Sequence, residues 1–298
     1  MAEATEAQEF LRAGKLPEAL KALENAVRKN PADPALRVFL FQLLCVIGQW
    51  DRALTQVKLS ADMEAKNALL PHMYGDAIQC EALRSEVFAG KRQPLLFGKP
   101  AEWAGWLVQA SQLAAQGKMA DAKALRDQAF EAAPTTSGTI TTKDGEQPFE
   151  WIADGDGRLG PVLEIILEGR YFWVPFNYIQ QIKIEEPVDL RDMVWTPAQF
   201  TWSNGGTSVG LIPTRYAGSE KSTDGALAMS RATQWNDAGE DLFIGVGQRL
   251  LATDAGEFPL VDIRLIKLNT AEAEPQTDRD AAGAKASMPP DASFELRS

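Results

Sequence analysis

Gly14-Lys-Leu-Pro-Glu-Ala19-Leu20-Lys-Ala-Leu23-Glu-Asn-Ala26-Val-Arg-Lys-Asn-Pro31 is a pattern that this chain uses more than once. After 34 residues, Gly48, Ala53, Leu54 and Val57 fall where Gly14, Ala19, Leu20 and Leu23 stand. A third copy, out of phase, places Gly117, Ala122, Ala129 and Pro134 at the offsets of Gly14, Ala19, Ala26 and Pro31. The glycines suit turns between antiparallel helices, where a side chain would obstruct the bend, and the alanines let the helices approach closely. The prolines end the second helix of each pair.

A 34-residue period of this form is the mark of tetratricopeptide helix pairs, which stack and leave a concave surface suited to a peptide. The copies are degenerate: Phe41 stands where the pattern asks for a small residue, and 62–116 holds no clear copy. A generic helical bundle is the alternative. Helicity itself follows from apolar spacing. Leu20, Leu23, Ala26 and Val27 recur at helical intervals, as do Leu36, Leu40, Leu43, Leu44 and Ile47. Tyr74, Ala77, Ile78, Cys80, Val87 and Phe88 do the same in a helix opened by Pro71. All residues up to about 133 are therefore expected to be helical, with turns at Gly14, Gly48 and Gly117 and no strand.

Beyond Pro134 the composition changes. Pro134–Gly145 reads as a polar connection, after which aromatic and β-branched residues dominate. Val162–Leu167 and Arg170–Val174 read as strands joined at Glu168-Gly169, and Ile179–Ile184 as a third. Phe200–Trp202 and Val209–Ile212 flank a turn at Ser203–Gly206, and Glu257–Leu268 holds a last strand. The expected fold is multidomain α and β. A tetratricopeptide-like α-helical superhelix (1–133) precedes an α+β domain with a mostly antiparallel sheet (134–270) and a disordered tail (271–298).

A net charge of −11 over 298 residues argues against nucleic acid, which needs a basic surface. No apolar run is long enough to span a membrane, and the acidic N-terminus lacks a secretory signal, so a cytoplasmic protein is expected. Cys45 and Cys80 lie on apolar helix faces and read as buried free thiols. The single histidine, His72, reads as structural, which removes histidine-based triads and most zinc sites. Asp154-Gly-Asp156-Gly-Arg158 begins like a calcium loop. However, Arg158 stands at a ligand position and Ile165 where the bidentate glutamate belongs. No metal or cofactor is expected.

The remaining chemistry is a set of polar residues inside apolar strings: Arg158, Glu164, Arg215, Tyr216, Gln248, Arg249, Asp262 and Arg264. Buried arginines need partners. Either these residues form internal ion pairs and hydrogen bonds that fix a loop-rich sheet, or they line an anionic pocket, as in a sensor or an enzyme.

Several strings, taken in order, resemble the ImpE/TagJ (SciE-type) family of bacterial type VI secretion accessory proteins. They are Val87-Phe-Ala-Gly90 with Pro94, Phe149-Glu-Trp-Ile-Ala-Asp154-Gly-Asp156-Gly-Arg158-Leu-Gly-Pro161, and Gly169-Arg-Tyr-Phe-Trp173-Val-Pro175-Phe. Glu164, Glu186-Pro-Val-Asp-Leu-Arg-Asp192, Pro213-Thr-Arg-Tyr216, Gly245-Val-Gly-Gln-Arg249 and Val261-Asp-Ile-Arg264 continue the match, which covers about 10–268. The resemblance implies a non-enzymatic cytoplasmic adaptor without catalytic residues. It implies two partners: the N-terminal helix of the small contractile-sheath subunit and, directly or indirectly, the ClpV-type AAA+ ATPase. A helical-repeat groove suits such an amphipathic helix. A small-anion sensor or enzyme, and a chaperone for a secreted effector, remain the alternatives.

Overall fold

The computed structural model describes residues 2–99 and 101–270, with the side chains of residues 2–4 excepted; the expected tail, 271–298, lies outside the described residues. Three helix pairs are present: α1 (Ala2–Arg12) with α2 (Leu16–Lys29), α3 (Pro34–Val46) with α4 (Trp50–Met63), and α6 (Glu102–Ala115) with α7 (Met119–Ala132). Their turns fall at Gly14, Gly48 and Gly117. At Gly14 (φ 74°) an added Cβ would meet nothing within 4 Å, so the left-handed backbone, not crowding, selects glycine there. Gly48 (φ 70°) carries both demands, because a Cβ would lie 2.6 Å from Glu220 Cγ. α3 opens on Asp33, whose carboxylate accepts from Ala35 N at 2.8 Å, with Pro34 in the first turn.

The stretch without a repeat copy contains one long helix, α5 (Leu70–Phe88), and then a departure from expectation. Leu95–Leu96 forms a two-residue strand, β1, parallel to β6 (Arg170–Pro175) at the edge of the main sheet. The helical half is therefore not free of strands. Pro94 and Gly98 bar a helix here, and Phe97 packs against Trp202 at 4.4 Å between ring centroids.

The rest of that sheet is antiparallel. Its strands are β2 (Gly138–Thr142), β3 (Gly145–Phe149), β5 (Val162–Leu167), β6, β7 (Ile179–Ile184), β8 (Trp195–Trp202), β9 (Thr207–Pro213) and β14 (Ile263–Leu268). They lie in the order β1-β6-β5-β9-β8-β7-β14-β2-β3. A small second sheet combines β4 (Ile152–Asp154), β12 (Leu250–Thr253) and β13 (Gly256–Pro259), and β10 (Thr233–Asp237) pairs with β11 (Phe243–Gly247) as a ribbon. A short helix, α8 (Gly225–Ala228), precedes that ribbon. In the β5–β6 turn Glu168 and Gly169 both take positive φ, the form that matches strand twist.

Two expectations need correction. The polar connection after Pro134 contains β2, whose Ile140 is buried and which pairs with β14 inside the main sheet. Threonine-rich segments carry little apolar signal but fit a pleated surface well. The single strand expected over Glu257–Leu268 is two strands in different sheets, parted by a 3₁₀ turn at Leu260–Asp262. A bulge between Ile263 and Leu265 then resets the alternation, so Ile263, Ile266 and Leu268 face inward.

The change from helix to sheet falls between Ala132 and Gly138, yet the core does not divide there. One apolar cluster runs from Leu23, Leu43 and Phe41 in the repeats through Tyr74 to Trp173 and Trp195 on the sheet. A second, including Ile165, Val174, Phe200 and Leu251, fills the opposite face of the sheet. Among the described residues, no helix is long and apolar enough to cross a membrane.

Candidate functional site

The alternation of β5 puts Val162, Glu164 and Ile166 on the face that meets the helices. All three are buried, and Glu164 is fully inaccessible. Its four lone-pair directions are all engaged. Oε1 accepts from Arg84 Nε at 2.6 Å and from the Tyr171 hydroxyl; Oε2 accepts from Arg84 Nη2 at 2.8 Å and from Arg249 Nη2. Burial works against this carboxylate, but Arg84 and Arg249 outweigh it and hold its pKa down to about 2. Burial, reinforced by Glu164, pushes Tyr171 well above the usual phenol range, so it stays a donor.

The two arginines reach Glu164 from different parts of the chain. Arg84 is on α5, one turn after Glu81, on the same stripe as Ala77, Cys80 and Val87. It also donates to the Arg215 carbonyl at 2.8 Å, while Glu81 accepts from Trp195 Nε1 at 3.0 Å. Arg249 sits between β11 and β12, where it pairs with Asp154 as well and donates to the Pro213 carbonyl at 2.9 Å. The Tyr216 ring lies 5.2 Å from the Arg249 guanidinium carbon. Tyr216 itself donates to the Leu250 carbonyl at 3.2 Å.

Arg215 solves its burial differently. It donates to the carbonyls of Cys45 (2.9 Å) and Val46 (2.6 Å), at the buried C-terminal end of α3, and to that of Ala228 (2.6 Å). A guanidinium at a helix C-terminus satisfies carbonyls that have no partner in the helix and meets the negative end of its dipole. Arg231 does the same for α1, at the Leu11 and Arg12 carbonyls. Arg158 pairs bidentately with Asp156 (2.8 and 2.6 Å) and lies 4.2 Å above the Phe88 ring of α5. The loop that resembled a calcium site thus directs its aspartates at arginines. Gln248 donates to the Ser230 carbonyl, and its Oε1 has no partner.

Six of the eight residues singled out in the sequence therefore meet at the junction of helices and sheet. Asp262 and Arg264 do not. Arg264 bonds the nearby carbonyls of Val261 and Ile263, and among the described residues Asp262 forms no ion pair. They lie in the turn and the bulge that open β14. Sequence reasoning missed Glu81, Arg84, Asp154, Asp156 and Tyr171. The signal for the first two was present, since both lie on an apolar helical stripe. Asp154 and Asp156 were seen only as failed metal ligands.

Chemically, this cluster has its groups directed at one another. Arg84, Glu164 and Arg249 line neither of the two clefts described next. Burial pushes the Cys45 and Cys80 thiols up, Cys80 to about 12, so neither is poised as a nucleophile.

The open spaces lie on either side of the repeats. One cleft, about 720 Å³, runs between α1, α3, the segment Glu64–Asn67 and the loop Pro187–Met193. The other, about 570 Å³, lies between Ile47, Trp50, the Glu81–Ala89 face of α5 and Ala217–Lys221. α1 and α3 are the first helices of their pairs, the ones that line the concave side of a repeat stack.

A helical repeat joined by buried ion pairs to a mostly antiparallel sheet, with clefts along the helices, defines a scaffold class of repeat-bearing α and β proteins. Known proteins of that build agree. Residues 146–267 match the ImpE protein family and residues 10–70 a tetratricopeptide repeat family. The type VI secretion system accessory component TagJ of Pseudomonas aeruginosa is 49% identical over 267 residues, covering 90% of this chain and 92% of that protein. The chain belongs to the ImpE family. The crystal structure of protein VPA1032 from Vibrio parahaemolyticus has the same fold, with a TM-score of 0.78 at 23% identity over 88% of this chain and 97% of that one.

Proposed function

We propose that this protein is a non-enzymatic adaptor of a type VI secretion system, working in the cytoplasm. It holds the N-terminal helical segment of the small contractile-sheath subunit, and through that contact it is linked to the ClpV-type ATPase. The observation that carries this reading is the cleft along the first helices of the repeats, with a partly apolar lining of Leu36, Val38, Phe39 and Leu11. Amphipathic helices bind such grooves through anchors at i, i+3, i+4 and i+7. The accessory role of the Pseudomonas aeruginosa relative supports it. The anion-sensor reading draws less support, because Arg158 and Arg249 are engaged by carboxylates of the chain itself.

Titration calorimetry of the full chain with a synthetic peptide of that sheath segment is the test. Ordering a flexible peptide offsets part of the contact energy, so a dissociation constant on the order of micromolar is expected. A peptide whose apolar face is replaced by serine should give no heat. Absence of binding by the native peptide at hundreds of micromolar, on the order of 5 kcal/mol or weaker, would remove the reading.

A further inference from the structure

We propose that the cleft between α1, α3 and the Pro187–Met193 loop is the peptide site, and that it selects a helix carrying carboxylates beside its apolar stripe. The inference rests on the adaptor reading for the existence of a helical ligand. The structure supplies the location and the charge.

The charge pattern at this cleft is opposite to that of the whole protein. The chain carries −11, yet the acidic groups here are already paired: Glu64 with Lys66 at 2.8 Å, and Asp189 with Arg191. Arg12 and Arg231 also line the cleft, and among the described residues neither forms an ion pair with a carboxylate. Arg231 is held in place by the Leu11 and Arg12 carbonyls, while the Arg12 side chain is exposed. Two cations without counter-ions beside an apolar floor complement a helix with acidic flanks. The cleft on the other side of the repeats lacks this feature. Its Glu81 is bonded to Arg84 and its Lys221 lies beside Glu220.

The rim is also preorganised. Gln42 on α3 accepts from Leu190 N at 3.0 Å and reaches Asp189 at 3.5 Å, which fixes the loop across the cleft. That loop displays Val188, 90% exposed, at the edge of an otherwise ordered surface. Little loop ordering then opposes binding.

The test compares two charge reversals in the full chain, Arg12→Glu and Lys221→Glu, by titration with the sheath-segment peptide. Both side chains are exposed and neither bonds a residue of the buried cluster, and circular dichroism checks that each variant folds. Arg12→Glu should weaken binding about tenfold, since an attraction becomes a repulsion at a partly solvated site. Lys221→Glu should bind like the wild type. Replacing the peptide's acidic residues by glutamine should reproduce the Arg12→Glu loss, and raised salt should reduce it. Wild-type affinity in Arg12→Glu, or a loss confined to Lys221→Glu, overturns the location while leaving the adaptor reading intact. No binding by the wild type removes both. Tighter binding after removal of residues 271–298 would assign the cleft to the chain's own terminal segment. Dissociation of a dimer by Arg12→Glu would assign it to a second copy. Either result overturns the proposal.

Discussion

Replacing Glu164 by glutamine lowers the unfolding free energy by about 3–5 kcal/mol, the expected cost of removing one partner from a buried ion network. The side chain keeps its shape, so packing changes little. What changes is charge: Arg84 and Arg249, both buried, lose the carboxylate they share. Tyr171 keeps an acceptor, and its hydrogen bond with Trp173 Nε1 at 2.7 Å is untouched. Urea denaturation checks the figure, and a loss below about 1 kcal/mol would mean that the network relaxes around a neutral group.

Arg215→Ala should cost about 3 kcal/mol or more, by a different route. Its removal orphans the buried carbonyls of Val46 and Ala228, at about 1–3 kcal/mol each before relaxation, and leaves that of Cys45 with Gly48 N alone. Arg215→Lys should recover only part of the loss, because an ammonium lacks the planar fork that spans carbonyls from two elements. Thermal unfolding of the two variants measures the difference. Full stability in Arg215→Ala, combined with the loss of a small anionic ligand, would bring back the pocket reading.

The helical repeats were legible because local sequence determines them: a positive φ at Gly14 and Gly48, a proline after the first and third pairs, and apolar residues at helical spacing. The β5–β6 hairpin was legible for the same reason. The β1 strand was not, since two residues carry no periodicity and their pairing with Phe172 and Trp173 is a long-range event. β2 was hidden by its threonines, and the break at Leu260–Asp262 by an apolar alternation that continues through it. Of the charged cluster, the sheet-side arginines stood out as charges inside apolar strings. Of their counter-charges only Glu164 did; Asp154, Asp156 and Glu81 did not. Arg84 is 80 positions from Glu164, and a glutamate–arginine pair one turn apart on a helix is usually a solvated pair. Only the packing of α5 on the sheet shows that Glu81 and Arg84 face inward.

The central claim is that these charged residues clamp the repeats to the sheet, so that the two halves form one scaffold. Native-state hydrogen exchange of the full chain tests it most directly. The slowest amides of α5, around Ala77–Arg84, and of β5, Val162–Leu167, should exchange through one shared opening with equal free energies. Glu164→Gln should lower both by the same amount. An α5 that opens well before β5, and is unmoved by Glu164→Gln, would contradict the clamp.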